Sequence, residues 1–147
     1  MTAKEYLSQA YRLDMKVNSR LEELSELRKL SRSIQSPGFE PGYNPNKPTD
    51  ATFEKTIMKI VDMENDINEE IDSLIDIKSN IRDVINQVPD EDQQMILRKR
   101  YIHFMNWDDI AKSMDFSVRW THTLHARALR AVGEILKNFE NSAVQIT

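Results

Sequence analysis

Residues 106–130 read NWDDIAKSMDFSVRWTHTLHARALR, and this stretch decides the fold. Asn106 precedes a short apolar-periodic segment, and Asp109 follows three residues later, the spacing of an approximate capping box. Asp115-Phe116 interrupts the pattern. Ser117 then caps a longer helix, expected to run to about Leu136. Within it Leu124, Ala128, Leu129 and Val132 share one face, extended by Thr121. That face is expected to pack on Ile110, Ala111 and Met114. The opposite face carries Val118, Arg119, His122, Thr123 and Arg127, with Trp120 near its edge. Two short helices around a tight turn, the second with hydrogen-bond donors on its free face, make a helix-turn-helix pattern.

That free face sets the functional expectation. A major groove is read by side chains that reach base edges from the first turns of a helix, while other cations hold the backbone. Arg119 is the best candidate for guanine, because its fork donates to two acceptors on that base. His122 and Thr123 can each donate one hydrogen bond. Arg127 and Arg130 are placed to hold phosphates. The expected partner is double-stranded DNA.

Upstream, the chain is long amphipathic helix divided by SPGFEPGYNPNKP at residues 36–48, which holds four of the five prolines. No helix crosses such a segment, since proline lacks the donor and clashes with the preceding turn. The first helix runs from about Lys4 to Ile34, with Leu7, Ala10, Val17, Leu21 and Leu24 apolar. The second runs from about Ala51 to Val88, with Thr49 or Asp50 as its N-cap. Its seam follows a 3,4 alternation through Ile57, Ile60, Glu64, Ile67, Ile71, Leu74, Lys78, Ile81, Ile85 and Val88, a coiled-coil-like spacing.

Two charges interrupt that seam, Glu64 and Lys78, and the first helix carries Asp14 and Arg28 at matching seam positions. An antiparallel hairpin opposes Arg28 to Glu64 and Asp14 to Lys78 in one register, whereas a parallel pair would oppose like signs. The expectation is an antiparallel hairpin whose register these charges favour. Leu13, Leu27, Leu30 and Ile34 widen the first apolar face, and Val61, Met63, Ile75, Ile77 and Val84 widen the second. A two-helix hairpin cannot bury so much surface alone, so it is expected to form a homodimer or to pack on the C-terminal domain. Pro89-Asp90 then ends the second helix. A third, Glu91 to about Phe104, turns Ile96, Leu97 and Tyr101 inward.

Composition bounds the remaining possibilities. The 147 residues are 39% hydrophobic and 30% charged, with no cysteine. This suits a helix-rich fold in a reducing compartment and removes disulfides and thiolate chemistry. No signal peptide and no membrane span is read, so the expected location is the cytoplasm. The net charge of −4 is unevenly spread. Residues 37–89 hold five basic and eleven acidic side chains, while 117–137 holds four basic (Arg119, Arg127, Arg130, Lys137) and one acidic, Glu134. Local charge decides phosphate affinity, so the acidic middle is expected to face away from DNA.

The stretch from Ile96 to Arg130, with ILRKRY, WDDIA and FSVRWTHTLHARALR, resembles region four of bacterial sigma factors. The whole chain, including MTAKEYLSQAYRLD at its start, resembles the ArpU/RinA-like phage transcriptional regulators of Gram-positive hosts. The resemblance implies Val118, Arg119, Trp120, His122 and Thr123 at the bases, beside the cap Ser117, with Arg100 near a phosphate. It also implies regulation of phage late genes in a bacterial cytoplasm and contact with host RNA polymerase. Val118 stands where sigma factors often carry arginine, and Thr121 replaces a core aliphatic, so sequence preference does not transfer.

Other chemistry finds little support. His122 and His125 lie three apart on a helix, but no cysteine or nearby carboxylate on that helix completes a metal set. No cofactor is expected. His103 reads as a helix-end histidine and Trp107 as a core plug. The carboxylates from Asp62 to Asp76 line a helix without a nucleophile or a phosphate loop, so an enzyme is not expected. The expected organisation is all-α: a helical hairpin over 1–88, a helix-turn-helix domain over 89–137 and a flexible tail over 138–147. Two rival functions share these features, a DNA-packaging subunit resembling a phage small terminase and a coiled-coil adaptor that binds no DNA.

Overall fold

The first helix starts at a reciprocal capping box. Thr2 Oγ1 accepts from the Glu5 N–H at 3.2 Å, and the Glu5 carboxylate accepts from the Thr2 N–H at 3.0 Å, so two orphan donors are satisfied at once. The computed structural model describes residues 1–35 and 50–145. Among them the helices are α1 (Ala3–Gln35), α2 (Asp50–Asn86), α3 (Glu91–Tyr101), α4 (Trp107–Met114) and α5 (Val118–Gln145), with no strand. The fold is all-α, as expected. The proline-rich segment and the Thr49 cap lie outside the described residues. No helix among the described residues is long and apolar enough to cross a membrane.

The chain divides into two compact units, Asp14–Ser73 and Met1–Leu13 with Leu74–Thr147. In the first, α1 and α2 run antiparallel. Arg28 donates to Glu64 at 2.6 Å, and Lys16 and Arg20 both meet Glu70 Oε1, at 3.4 and 3.1 Å. Val17, Leu24, Ile60 and Ile67 are buried between the helices, flanked by Leu27, Met63 and Ile71. Burying such a side chain contributes roughly 1.5–3 kcal/mol each.

Leu21 and Ile57, expected in the seam, are 41% and 38% exposed. An α-helix drifts by about 20° per heptad against a 3.5-residue repeat, so not every seam position meets its partner. Met15, Leu30, Met58 and Val61 are exposed as well. Of the two register pairs expected from the seam charges, Arg28–Glu64 forms as an ion pair. Asp14 instead accepts from Asn18 Nδ2 at 3.2 Å, and the Lys78 ammonium lies 4.9 Å from the centre of the Phe104 ring.

The second unit gathers Leu7 and Ala10 of α1, Ile81, Val84, Ile85 and Val88, Leu97 and Tyr101 of α3, and Ala128 and Val132 of α5 around one core. A smaller cluster of Ile96, Ile110 and Leu124 sits against Met105, Trp107, Met114 and Phe116. The inner face of α5 is therefore shared. Leu124 packs toward α4, as expected, whereas Ala128 and Val132 join the core of α1, α2 and α3 residues.

Three boundaries differ from the sequence reading. The unit containing the helix-turn-helix takes in Met1–Leu13 and everything from Leu74, not only residues beyond 88, because Ile81, Ile85 and Val88 are core residues of that unit. Helix α3 stops at Tyr101 rather than near Phe104, which has φ 57° and sets its ring 5.5 Å from that of Tyr11. Helix α5 continues to Gln145 where a flexible tail over 138–147 was expected; no proline or glycine lies beyond Gly133 to stop it.

Candidate nucleic-acid interface

Local sequence builds the helix-turn-helix. Asp90 caps α3 by accepting from the Gln93 N–H at 2.9 Å. Asn106 caps α4 by accepting from the Asp109 N–H at 2.8 Å, and its amide donates to the Asp109 carboxylate at 3.0 Å. The capping box thus closes side chain to side chain. Asp115 adopts the left-handed conformation, φ 56° and ψ 41°. The Phe116 N–H reaches back to the Ala111 carbonyl at 2.9 Å and the Asp115 N–H to Lys112 at 3.2 Å, the paired bonds of a Schellman turn. Ser117 Oγ then accepts from the Trp120 N–H at 3.1 Å and starts α5.

Thr121 occupies an interior position and is fully buried. Its hydroxyl donates to the Ser117 carbonyl at 2.9 Å. A polar group in place of an aliphatic is thereby satisfied without a partner across the core.

Ser117, Val118, Arg119, Trp120, His122, Thr123, Arg127 and Arg130 are all exposed. Arg119, His122, Thr123, Ala126, Arg127 and Arg130 lie together on one open face of α5. No salt bridge involves Arg119, Arg127 or Arg130 among the described residues. The Arg127 guanidinium lies 5.3 Å from the centre of the Trp120 ring, a cation–π contact that holds both side chains on the outer surface.

Arg100 stands apart from this strip. One of its nitrogens donates to the Met105 carbonyl at 3.0 Å, and its guanidinium lies 4.7 Å from the Trp107 ring centre. Trp107 is the hub of the inner side. It meets the His122 ring at 4.6 Å and the His125 ring at 4.5 Å.

His125 is 8% exposed and its Nε2 lies 2.6 Å from the Tyr101 hydroxyl. Burial, followed by the positive charges of Lys4, His122 and Arg100, pushes its pKa down to about 4. Burial pushes the Tyr101 hydroxyl up to about 12, against a lowering effect of Arg100. The phenol therefore keeps its proton and donates, and the neutral imidazole accepts at Nε2. The two histidines thus sit against Trp107, and no group of three or more metal-ligating side chains occurs among the described residues.

Sequence reasoning found the outer strip but not the cluster behind it. A signal for part of that cluster was present. His125 follows Leu124 and precedes Ala128 by three, which places it at the edge of the apolar face. The approach of Lys4 had no local signature, because it depends on where the start of α1 packs.

The family described as Protein of unknown function (DUF1492) matches residues 49–133, more than half of the chain. The chain belongs to this family. The DUF1492 segment takes in α2, α3, α4 and the first part of α5, so it contains the entire exposed strip and leaves α1 outside. No curated protein and no solved structure matches the chain.

Proposed function

We propose that this DUF1492 protein binds double-stranded DNA through the outer face of α5 and regulates transcription. One observation supports the reading above others: Arg119, Arg127 and Arg130 share one open face of a capped helix, with no carboxylate paired to any of them among the described residues. The resemblance of residues 96–130 to sigma region four points the same way. It extends the proposal to phage late genes, with host RNA polymerase as a second partner. Arg119 reads guanine, His122 adds a single hydrogen bond, and Arg127 and Arg130 hold phosphates. The Thr123 hydroxyl, expected to donate to a base, donates instead to the Arg119 carbonyl at 3.1 Å and is left to accept.

The apolar side chains exposed on the Asp14–Ser73 unit favour a homodimer, which would present two recognition helices to two half-sites. The test is selection of bound fragments from phage genomic DNA, followed by anisotropy titration of the recovered site. Arg119→Ala should weaken specific binding by about tenfold or more while sparing non-specific affinity. Unchanged binding by this variant would remove the recognition-helix assignment. Mass measurement in solution separates the regulator, a dimer, from a packaging ring of many subunits.

A further inference from the structure

A cavity of about 330 Å³ lies within the larger unit, and none of the residues that line it belongs to the exposed strip. Its walls come from Lys4, Ser8 and Tyr11 of α1, from Arg100 and Tyr101 of α3, and from Phe104, Asn106 and Trp107. Two of these side chains are cations and none is an acid. Neither Lys4 nor Arg100 forms a salt bridge among the described residues. The volume falls in the range of small-molecule sites.

The lining has a consistent chemistry. Tyr11, Tyr101, Phe104 and Trp107 supply aromatic surface, with Tyr11 and Phe104 meeting edge to face. Arg100 is oriented by its stack on Trp107 and by its bond to the Met105 carbonyl. That bond uses one of its five donors, so most of its fork remains available. Ser8 and Tyr11 add neutral polar groups to the lining, while the Asn106 side chain is engaged in capping α4.

We propose that this cavity binds a small planar aromatic molecule bearing one anionic group, a carboxylate or a phosphate, with the anion between Lys4 and Arg100 and the ring against Trp107 and Phe104. Uncompensated cations in a partly enclosed site favour an anion, and the aromatic walls favour a flat apolar body over a hydrated inorganic ion. The pKa of His125 is lowered first by burial, and Lys4 and Arg100 lower it further, in keeping with a positive field beside the cavity. The ligand would touch Trp107, whose ring also meets His122 and His125 of α5. Occupancy therefore reaches α5 at buried His125 and at exposed His122. The proposal holds whether or not α5 binds DNA.

The experiment is a titration of the full chain with phenyl phosphate, read by Trp107 fluorescence in a Trp120→Phe background, which leaves Trp107 the sole tryptophan. Saturable quenching is expected, accompanied by a rise in melting temperature. Lys4→Gln and Arg100→Gln should each weaken binding by about tenfold, the loss of one charge-assisted contact. Benzyl alcohol should bind far more weakly. Should Arg100→Gln unfold for want of the Met105 contact, Lys4→Gln still decides the matter. The idea is overturned by no saturation, by equal binding to the Lys4→Gln variant, or by inorganic phosphate or benzyl alcohol binding as tightly as phenyl phosphate.

Discussion

The Tyr101 hydroxyl lies 2.6 Å from Nε2 of His125, so a single buried hydrogen bond ties α3 to the helix that carries the cationic strip. Its energetics depend on His125 staying neutral. The groups around the ring are Tyr101, Trp107, Lys4, His122 and Arg100; burial lowers its pKa most, and Lys4, His122 and Arg100 lower it further. None of them rescues an imidazolium.

Acid should therefore destabilise the protein in a defined window. The folded pKa of about 4 lies below the ordinary histidine value of 6.5, so the unfolded chain takes up the proton first. Stability is intact above pH ~6.5 and declines as pH falls toward ~4. At ~1.4 kcal/mol per unit, discounted for solvent near the ring edge, the loss is about 2 kcal/mol. Urea unfolding at pH 7 and pH 4.5 measures it. His125→Phe should flatten this component, and Tyr101→Phe should cost roughly 1–3 kcal/mol at pH 7 by stranding Nε2. A His125→Phe protein as acid-sensitive as the parent would contradict the assignment.

How much of this was legible beforehand differs by level. The helices and the α4–α5 turn followed from Asn106, Ser117 and the 3.6-residue spacing of Ile110, Leu124 and Ala128, all local signals. The exposed strip followed too, because what does not pack inward faces out. Arg28–Glu64 came from seam arithmetic. The Tyr101–His125 bond and the approach of Lys4 to Arg100 and Trp107 were not readable, since each joins elements distant in sequence. The extension of α5 to Gln145 was not readable, since residues 138–147 carry no stop signal and no cap to mark where the helix ends.

Within the Asp14–Ser73 unit, the ion pairs should differ in worth. The Arg28 and Glu64 side chains are 48% and 40% exposed, and such pairs contribute about 0.2–1 kcal/mol. Glu70 is only 17% exposed and meets two cations, Lys16 and Arg20. Glu70→Ala removes two ion pairs where Glu64→Ala removes one. Lys16 and Arg20, however, are 57% and 35% exposed, and Glu70 Oε2 is buried with no partner among the described residues. The cost of Glu70→Ala should therefore exceed that of Glu64→Ala by only roughly 0.5 kcal/mol. A double-mutant cycle on Arg28 and Glu64 should give a coupling that shrinks in high salt. Equal losses for the two alanine variants would show that burial of Glu70 adds nothing.

Two backbone substitutions should stabilise the protein for opposite reasons. Asp115 has φ 56° in the α4–α5 turn, and glycine adopts that conformation without the Cβ penalty of about 1–2 kcal/mol. Some of that gain is offset by the added freedom of the unfolded chain. Asp115→Gly is expected to add a few tenths to ~1 kcal/mol. Gly133 lies inside α5, and a Cβ there meets nothing within 4 Å. Gly133→Ala should add about 1 kcal/mol. Thermal unfolding tests both, and a loss of stability in either would mean that the local geometry is misassigned.

Salt dependence separates phosphate contacts from base contacts on α5. Each phosphate neutralised adds about −0.9 to the slope of log affinity against log salt. Arg127 and Arg130 lie farther along α5 than Arg119, so Arg127→Ala and Arg130→Ala should each flatten the slope by about that amount on any DNA. Arg119→Ala should instead cost roughly 1–3 kcal/mol on the preferred site alone. Trp120 supplies an internal control, because its ring holds the Arg127 guanidinium at 5.3 Å. Trp120→Ala leaves the charge in place but removes its support, so it should weaken binding while keeping the full salt slope. A flattened slope in Trp120→Ala would mean that Arg127 reaches its phosphate only when stacked. An unchanged slope in both Arg127→Ala and Arg130→Ala would place the DNA elsewhere on the protein.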